Sequence, residues 1–238
     1  GASVTQTTSA DGTYHVALQG EAILRAADIA VPRDPSSAAF PMVAALLTPK
    51  SDITLPGVGM NPLRTGLITT LQEMGGEITL SHARVEGGEA VADIRVRHSR
   101  LHGIDVPAER AASMIDEYPI LAIAATQAEG ITRMQGVAEL RVKETDRIAV
   151  VADGIVAAGG TVNYDDDSMS VTGSPIAGGI TIASQHDHRI AMSFLTLGMV
   201  SDAPITVTGC QTINTSFPNF GAIMNECGAQ IASAGDQA

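Results

Sequence analysis

A pattern of three similar segments is the feature that most constrains the fold of this chain of 238 residues. Each segment begins with Asp, continues through an apolar run of helical length and ends in a β-type stretch that starts with Ile-Thr. The starting residues are Asp34, Asp116 and Asp187, which lie 82 and then 71 residues apart. Such spacings are too long for a solenoid repeat and suit a unit of several strands and two helices. The pattern therefore predicts three similar α/β units in one domain.

A second helix and a closing strand are predicted in every unit. After the Ile-Thr strand come a turn with Gly, an amphipathic helical run, and a strand that follows a Gly pair or Gly-Ala. Gly suits the left-handed conformation that ends many helices. The closing segments read LITTLQEMGGEITL, IAVVADGIVAAGGTVNY and FGAIMNECGAQIAS, and stretches such as ADIRVRHSRLHGIDVP and SMSVTGSP predict further strands.

Residues 1–30 differ from the repeats and are predicted to be the last strands of a truncated N-terminal domain with its crossover, leaving 31–238 as the C-terminal domain. The segment YHVALQG alternates apolar and polar residues after the turn-forming sequence SADG, which is typical of a hairpin. A hairpin alone is marginally stable. We therefore expect the sequence to be part of a larger protein.

Composition and charge disfavour several classes of function. A net charge of −12 without a basic run argues against nucleic-acid binding, which depends on Lys and Arg neutralising phosphates. No run reaches the ~18 apolar residues that a membrane helix needs. Cys210 and Cys227 lack the CxxC spacing of a metal or redox site. We expect a soluble cytoplasmic protein whose two thiols are free.

The starting Asp of each unit is placed to cap a helix by accepting hydrogen bonds from unpaired backbone N–H groups. Pro35 follows Asp34 at the favoured first helical position, so a structural role is sufficient to explain Asp34. Asp116, which precedes Pro119, is open to three interpretations: a cap, a general base, or both. If the units pack with similar orientation, their helix N-termini gather at one end of the domain and favour an anionic ligand.

The densest group of charges is RVKETDR at residues 141–147, just before a helical run. In helical geometry Lys143 and Glu144 share a face with Arg147, so that two cations flank one carboxylate. One interpretation is a solvated set of ion pairs, worth roughly 0.3 to 0.5 kcal/mol each. The other is an anion-binding site, which the position of Lys143, one of only two lysines in the chain, modestly favours.

A second group, QHDHR at residues 185–189, also stands at the start of a helical run. The alternate residues His186 and His188 make a poor chelate, and no Cys or third His is spaced to complete a metal site. The other interpretation is that His188 and Arg189 face an anion at a helix N-terminus. The run of three Asp at residues 165–167 predicts a solvated turn.

Five segments taken together, RVKETDR, HDHRIAM, DPSSA, IDEYPILA and TSFPNF, resemble the C-terminal half of EPSP synthases, and within that family the glyphosate-insensitive bacterial class. The resemblance runs from about Ala30 to the end of the chain. It implies an α/β domain of three βαβαββ units with the helices packed inside, an inside-out α/β barrel, and a substrate cleft between two such domains. It also implies transfer of the enolpyruvyl group of phosphoenolpyruvate to the 5-hydroxyl of shikimate 3-phosphate, with release of phosphate and with no metal or cofactor.

The same resemblance implies catalytic and substrate-binding roles for named residues. Asp116 matches the proton acceptor and a ligand of shikimate 3-phosphate, and Lys143 matches a lysine that contacts the substrates. Glu144 matches the acid that protonates the methylene carbon. Arg147 and Arg189 match the pair that grips phosphoenolpyruvate, since planar guanidinium groups suit carboxylate and phosphate.

His188 matches a supporting histidine of that pocket. The N-terminal Lys, Ser, Arg and Gln ligands of the family lie outside this chain, so the resemblance implies that the missing domain completes the site and that the chain alone has negligible turnover. Glu139 and Thr215 stand where the glyphosate-sensitive enzymes tend to have Asn and Lys. One cationic contact to phosphoenolpyruvate is therefore expected to be absent.

Two further functions stay open. UDP-N-acetylglucosamine enolpyruvyl transferases share the fold and the donor, but they have Leu where this chain has His188, which favours the shikimate enzyme. A non-catalytic domain that binds anions or a partner chain, or one half of a split enzyme, is the other alternative. The intact set of charged residues argues against a purely structural role.

Overall fold

The chain forms two compact units, Gly1–Val31 and a larger one that begins at Pro32, in a computed structural model that describes residues 1–233. In the first unit, strands β1 (Val4–Thr8) and β2 (Tyr14–Leu18) pair antiparallel. The Asp11 carboxylate holds the turn by accepting from the Thr13 backbone N–H at 3.0 Å. The predicted hairpin is confirmed, whereas its origin in a truncated domain stays a prediction.

The first unit of the larger body has the predicted order of helices and strands. Its elements are α1 (Pro35–Leu47), β3 (Asp52–Gly59), α2 (Gly66–Glu73), β4 (Glu77–Glu86) and β5 (Glu89–Arg97). Arg33 forms a parallel bridge to Val58, and the three strands form a sheet in the order β3-β5-β4, antiparallel throughout.

The second unit repeats this order with a longer first strand. Its elements are β6 (Asp105–Val106), α3 (Tyr118–Thr126), β7 (Ile131–Gln135), α4 (Arg147–Ala157), β8 (Thr161–Tyr164) and β9 (Ser168–Thr172). The sheet runs β6-β7-β9-β8, with β6 and β7 parallel and the other neighbours antiparallel. Both units therefore follow the predicted βαβαββ sequence.

The third unit departs from the prediction. It contains β10 (Thr181–Ala183), α5 (His188–Leu197), β11 (Thr206–Thr208), α6 (Ile213–Ser216) and α7 (Phe220–Glu226), with β10 parallel to β11. The closing strand predicted in FGAIMNECGAQIAS is wrong, because residues 229–233 are not in a strand. The Asn225 side chain instead binds both the N–H and the C=O of Ile231, at 2.7 and 2.8 Å, and so takes the place of a strand partner.

The helices that open the three units form the centre of the core. Every residue of α3 is buried, and α1 is buried along nearly its whole length. A helix that is apolar on all sides is stable only when other elements surround it. Accordingly α1, α3 and α5 contact one another, while β3 and β5 pack on α1 and β9 packs on α3.

The predicted glycine helix stops are also confirmed. Gly75, Gly159 and Gly228 follow α2, α4 and α7 with φ of 91°, 96° and 104°, the left-handed conformation expected of helix stops. Cys210 and Cys227 are both free thiols. Across residues 1–233, none of the helices combines the length and the apolar character that a bilayer crossing requires.

Gly154 allows α4 and α5 to approach each other closely. A Cβ atom built on Gly154 would overlap the ring of Phe194, which is fully buried in α5. We expect Gly154→Ala to lower the free energy of unfolding in urea by roughly 1 to 3 kcal/mol, because the overlap forces the ring or the helices apart. The control is Gly221→Ala in α7, whose added carbon would lie 3.7 Å from Ile231. That change should raise stability by up to about 1 kcal/mol, and a similar loss in both variants would contradict the packing argument.

Candidate active site

The first turns of several helices meet at one place. Asp34 caps α1 by accepting from Ser37 N–H at 2.9 Å, and Asp187 caps α5 by accepting from the N–H groups of Arg189 and Ile190. These two caps confirm the prediction. Arg189 at the start of α5 binds Glu117 just before α3, and one cleft is lined by the first turns of α1 and α5. The predicted gathering of the N-termini of the three opening helices is therefore confirmed as well.

For Asp116 the capping interpretation is wrong. It lies in a 3₁₀ turn, Ile115–Glu117, ahead of α3, and α3 has no side-chain cap. The physical reason is Pro119 in the first turn, which has no N–H to offer a cap. The carboxylate of Asp116 is therefore available for other partners.

Arg147 is the first residue of α4 and the largest fully buried side chain of the described residues. Its Nε donates to Asp187 Oδ2 at 2.7 Å, its Nη1 to Asp116 Oδ1 at 2.9 Å and its Nη2 to Glu144 Oε2 at 2.5 Å. Burial alone would lower the pKa of Arg147, but the Asp187 hydrogen bond and the surrounding carboxylates hold it above its ordinary value. The interpretation of these residues as a solvated set of ion pairs is therefore wrong.

Asp116 is the carboxylate around which the cations collect. Besides Arg147, it has Lys143 Nζ at 3.6 Å and Arg189 Nη2 at 3.6 Å. Burial would raise the pKa of Asp116, yet the charges of Arg189, Lys143 and Arg147 outweigh burial and lower it. A carboxylate that is 38% exposed and fully ionised at neutral pH can accept a proton from a hydroxyl placed beside it.

Lys143 reaches this site by a route that differs from the prediction. Residues 143–146 precede α4, and the backbone of Lys143 is extended, so Lys143 and Arg147 do not share a helical face. Instead Lys143 Nζ lies 2.5 Å from Glu139 Oε1, a contact that raises the pKa of Lys143. Glu139 is thus a direct partner of Lys143.

His188 and Arg189 form the first turn of α5 and border a small cleft. Arg189 Nη1 donates to the backbone oxygen of Asp116 and to Glu117 Oε1, each at 3.2 Å. Burial lowers the pKa of His188 and the Arg189 charge lowers it further, so the imidazole is neutral at pH 7. The cleft, of about 190 Å³, lies between the first turns of α1 and α5 and is also lined by Ser216.

All six residues predicted for the site are brought together. Arg147 binds the carboxylates of Glu144, Asp116 and Asp187. Asp116 is also paired with Lys143 and Arg189, and His188 adjoins Arg189. The set is Asp116, Lys143, Glu144, Arg147, His188 and Arg189. Within residues 1–233 no group of three or more His, Cys, Asp or Glu side chains is arranged to hold a metal ion. The arrangement can hold an anionic ligand and exchange protons through carboxyl groups.

Arg141, the first residue of RVKETDR, holds the loop of the motif to the turn at residues 165–167. Its Nη1 donates to the Asp146 carboxylate at 2.7 Å, and its Nη2 and Nε donate to the backbone oxygens of Asp165 and Asp166 at 2.6 and 3.1 Å. The turn at residues 165–167 is exposed as predicted, but it also anchors the loop that carries Lys143 and Glu144. No spacing in the sequence pairs Arg141 with a turn some 25 residues away.

Comparisons with known proteins show which family the chain resembles over most of its length. The family described as EPSP synthase (3-phosphoshikimate 1-carboxyvinyltransferase) matches residues 1–224. Proteins named 3-phosphoshikimate 1-carboxyvinyltransferase from Methylorubrum extorquens and Granulibacter bethesdensis are 58% and 53% identical, over 97% and 98% of this chain and 52% of each relative. The chain therefore spans about half the length of the curated relatives it matches.

Solved structures are similar over the same half. A structure of EPSP synthase from Acinetobacter baumannii matches with a TM-score of 0.89 and 43% identity, covering 96% of this chain and 52% of that one. The enolpyruvyl transferase NikO from Streptomyces tendae matches with a TM-score of 0.72 and 19% identity, covering 96% and 51%. The second likeness concerns the fold alone, a mixed α/β domain.

Removing Arg147 should destabilise the protein strongly. We expect Arg147→Met to lower the free energy of unfolding by about 3 to 5 kcal/mol, because it leaves the fully buried Asp187 carboxylate without a cation. The control is Arg95→Met, which breaks an exposed pair with Asp52 and should cost about 1 kcal/mol or less. Urea unfolding of both variants gives the comparison, and equal losses would show that burial of the Arg147 pair has no special weight.

The His188 imidazole should titrate below its unfolded pKa of about 6.5. Because the folded state binds this proton less readily than the unfolded chain, His188 contributes a loss of stability as pH falls below about 6.5, down to the folded pKa, and none above. We expect the NMR titration midpoint of His188 to lie below 6.5 and to rise in Arg189→Gln, which removes a neighbouring positive charge.

The control for this titration is Arg133→Gln, which alters an exposed pair with Asp105 and should leave the midpoint of His188 unchanged. A midpoint at or above 6.5 in the unaltered chain would contradict the argument. So would an Arg189→Gln midpoint that does not move.

Proposed function

Since the chain belongs to the EPSP synthase family, we propose that it is the C-terminal half of an enzyme that transfers the enolpyruvyl group of phosphoenolpyruvate to the 5-hydroxyl of shikimate 3-phosphate. Phosphate is the second product. The observation that carries the proposal is the Asp116 carboxylate, half-exposed and ionised, with Lys143, Arg147 and Arg189 around it. The reaction needs such a set, because it moves protons between two anionic substrates.

In this proposal the carboxyl groups handle the protons. Asp116 binds the acceptor and takes the proton of its 5-hydroxyl; the neighbouring cations lower the pKa of Asp116, and the carboxylate is ionised at neutral pH. Glu144, whose side chain is 48% exposed, delivers a proton to the methylene carbon of phosphoenolpyruvate as the 5-oxygen of the acceptor bonds to the neighbouring carbon. When the bond from that carbon to phosphate breaks, the methyl group loses a proton and the double bond of the enolpyruvyl group forms again. Lys143, whose Nζ lies 3.6 Å from Asp116 Oδ1, contacts both substrates.

The cations of the first helical turns hold the donor. Arg189 and Arg147 bind the carboxylate and phosphate of phosphoenolpyruvate, and the neutral His188 supports the same pocket. Three carboxylates surround the Arg147 guanidinium, which is fully buried. Arg147 must therefore release Asp116 or Glu144 before it can grip an anion, whereas Arg189, with 14% of its side chain exposed, is accessible as it stands.

The remaining parts of the proposal concern the whole protein. Residues 1–30 are the last strands and the crossover of an N-terminal domain, and 31–238 are the C-terminal domain, in which the helices are packed inside a closed inside-out barrel. The site is completed by residues of the other domain, the enzyme is cytoplasmic, and it falls in the glyphosate-insensitive class. Glu139 and Thr215 support that class, because they stand where the glyphosate-sensitive enzymes tend to have Asn and Lys.

The test is to complete the enzyme. This chain and the N-terminal half of the Methylorubrum extorquens relative are expressed together, and phosphate release is measured with phosphoenolpyruvate and shikimate 3-phosphate. We expect turnover in the combined protein and negligible turnover from the chain alone. Turnover by the chain alone at the rate of a full-length relative, or turnover only with UDP-N-acetylglucosamine as acceptor, would overturn the proposal.

In the completed enzyme, Asp116→Asn and Glu144→Gln should each lower kcat by about 10²- to 10⁴-fold, because each removes one group that transfers a proton. The matched control is Asp105→Asn, which alters an exposed carboxylate on β6 that pairs with Arg133. It should leave kcat within about twofold of the parent, as expected of an exposed ion pair. Retention of full activity by Asp116→Asn or Glu144→Gln would remove that residue from the mechanism.

A further inference from the structure

Glu117 is a buried carboxyl group that none of the roles above uses. It follows Asp116 directly in the turn before α3, and only 5% of the residue is exposed. Its Oε1 accepts a hydrogen bond from Arg189 Nη1 at 3.2 Å. Two consecutive acidic residues thus face the same arginine from different sides.

The two carboxylates divide the Arg189 guanidinium between them. Nη1 is held from the inside, by Glu117 and by the backbone oxygen of Asp116. Nη2 is 3.6 Å from the exposed carboxylate of Asp116, beyond hydrogen-bonding distance. The orientation of the planar group is therefore set from its buried edge. Its other edge lies near the Asp116 carboxylate without a hydrogen bond to it, so that edge can still donate to an anion. A guanidinium forms two parallel bonds to carboxylate or phosphate only when this orientation is right.

Helix capping does not account for Glu117. It makes no side-chain cap for α3, although it stands at the capping position. Burial raises the pKa of Glu117, against the opposing effects of the Ser36 hydroxyl and the Arg189 charge, so the ionised group is costly at this position. An apolar side chain of similar volume would avoid that cost.

We propose that Glu117 is a positioning residue that holds the buried edge of Arg189 and thereby directs its other edge at the enolpyruvyl donor. The inference rests on the function proposed above and deepens it, because it assigns donor affinity to a residue that touches neither substrate. It separates Glu117 from Asp116, which contacts the acceptor. Loss of Glu117 should therefore change the KM of one substrate only.

The test uses Glu117→Gln in the completed enzyme. Gln keeps the shape but loses the charge, so Arg189 is held more weakly. We expect the KM for phosphoenolpyruvate to rise roughly tenfold, while the KM for shikimate 3-phosphate stays within about twofold. Glu117→Asp, a shorter but charged variant, should give an intermediate rise and serves if Glu117→Gln does not fold.

A double-mutant cycle shows whether Glu117 acts through Arg189. Added to Arg189→Lys, which lacks the planar fork, Glu117→Gln should have little further effect on the KM of the donor. The control is Glu73→Gln, which weakens a carboxylate–arginine pair with Arg110 outside the site and should leave both KM values unchanged. Equal rises in both KM values, or full additivity with Arg189→Lys, would overturn the proposal.

Failure of the proposed function is distinguishable from failure of this inference. If the parent enzyme shows no turnover, the function is wrong, and crystal structures of the parent chain and Glu117→Gln decide the positioning role. A rotated or disordered Arg189 guanidinium in the variant supports the role. An unmoved guanidinium overturns it.

Discussion

The buried ion pair between Arg147 and Asp187 is the interaction on which the site depends. It joins the first turn of α4 to the cap of α5 across 40 residues of sequence, and both side chains are closed off from solvent. Through Arg147 the same pair fixes Asp116 and Glu144. A buried pair adds little stability compared with apolar side chains of similar size. What it contributes is geometry, because it holds groups from three segments within hydrogen-bonding distance of one guanidinium.

The elements that sequence patterns predicted well are those whose signal lies within one continuous segment of the chain. The apolar runs of α1 and α3 allow only a buried helix, and the glycines after α2, α4 and α7 end their helices by backbone conformation alone. The side chains that bind across units were harder to predict. From the sequence, Asp187 is an ordinary helix cap and Glu117 is only the neighbour of Asp116. No spacing in the sequence shows that an arginine from another unit reaches either carboxylate.

The wrong predictions have the same origin. A cap at Asp116 fails because Pro119 removes the donor, and the shared helical face of Lys143 and Arg147 fails because the backbone at Lys143 is extended. In the third unit, Asn225 satisfies the backbone of Ile231 where a strand was expected. In each case a local feature, either the backbone conformation or one side chain, outweighed a pattern taken over many residues. The roles of the six site residues rest on resemblance and stay predictions.

The short sheet of the third unit has a consequence for handling the protein. Along the part of the chain that the structure describes, β11 pairs with β10 and with no other strand, whereas β5 and β9 each lie between two neighbours. An unpaired strand edge is a template for another strand, from the same protein or from a second molecule. Because β11 is only three residues long, it offers few backbone groups to such a partner, so association of this chain in solution is expected to involve the longer edge strands β3 and β4 before β11.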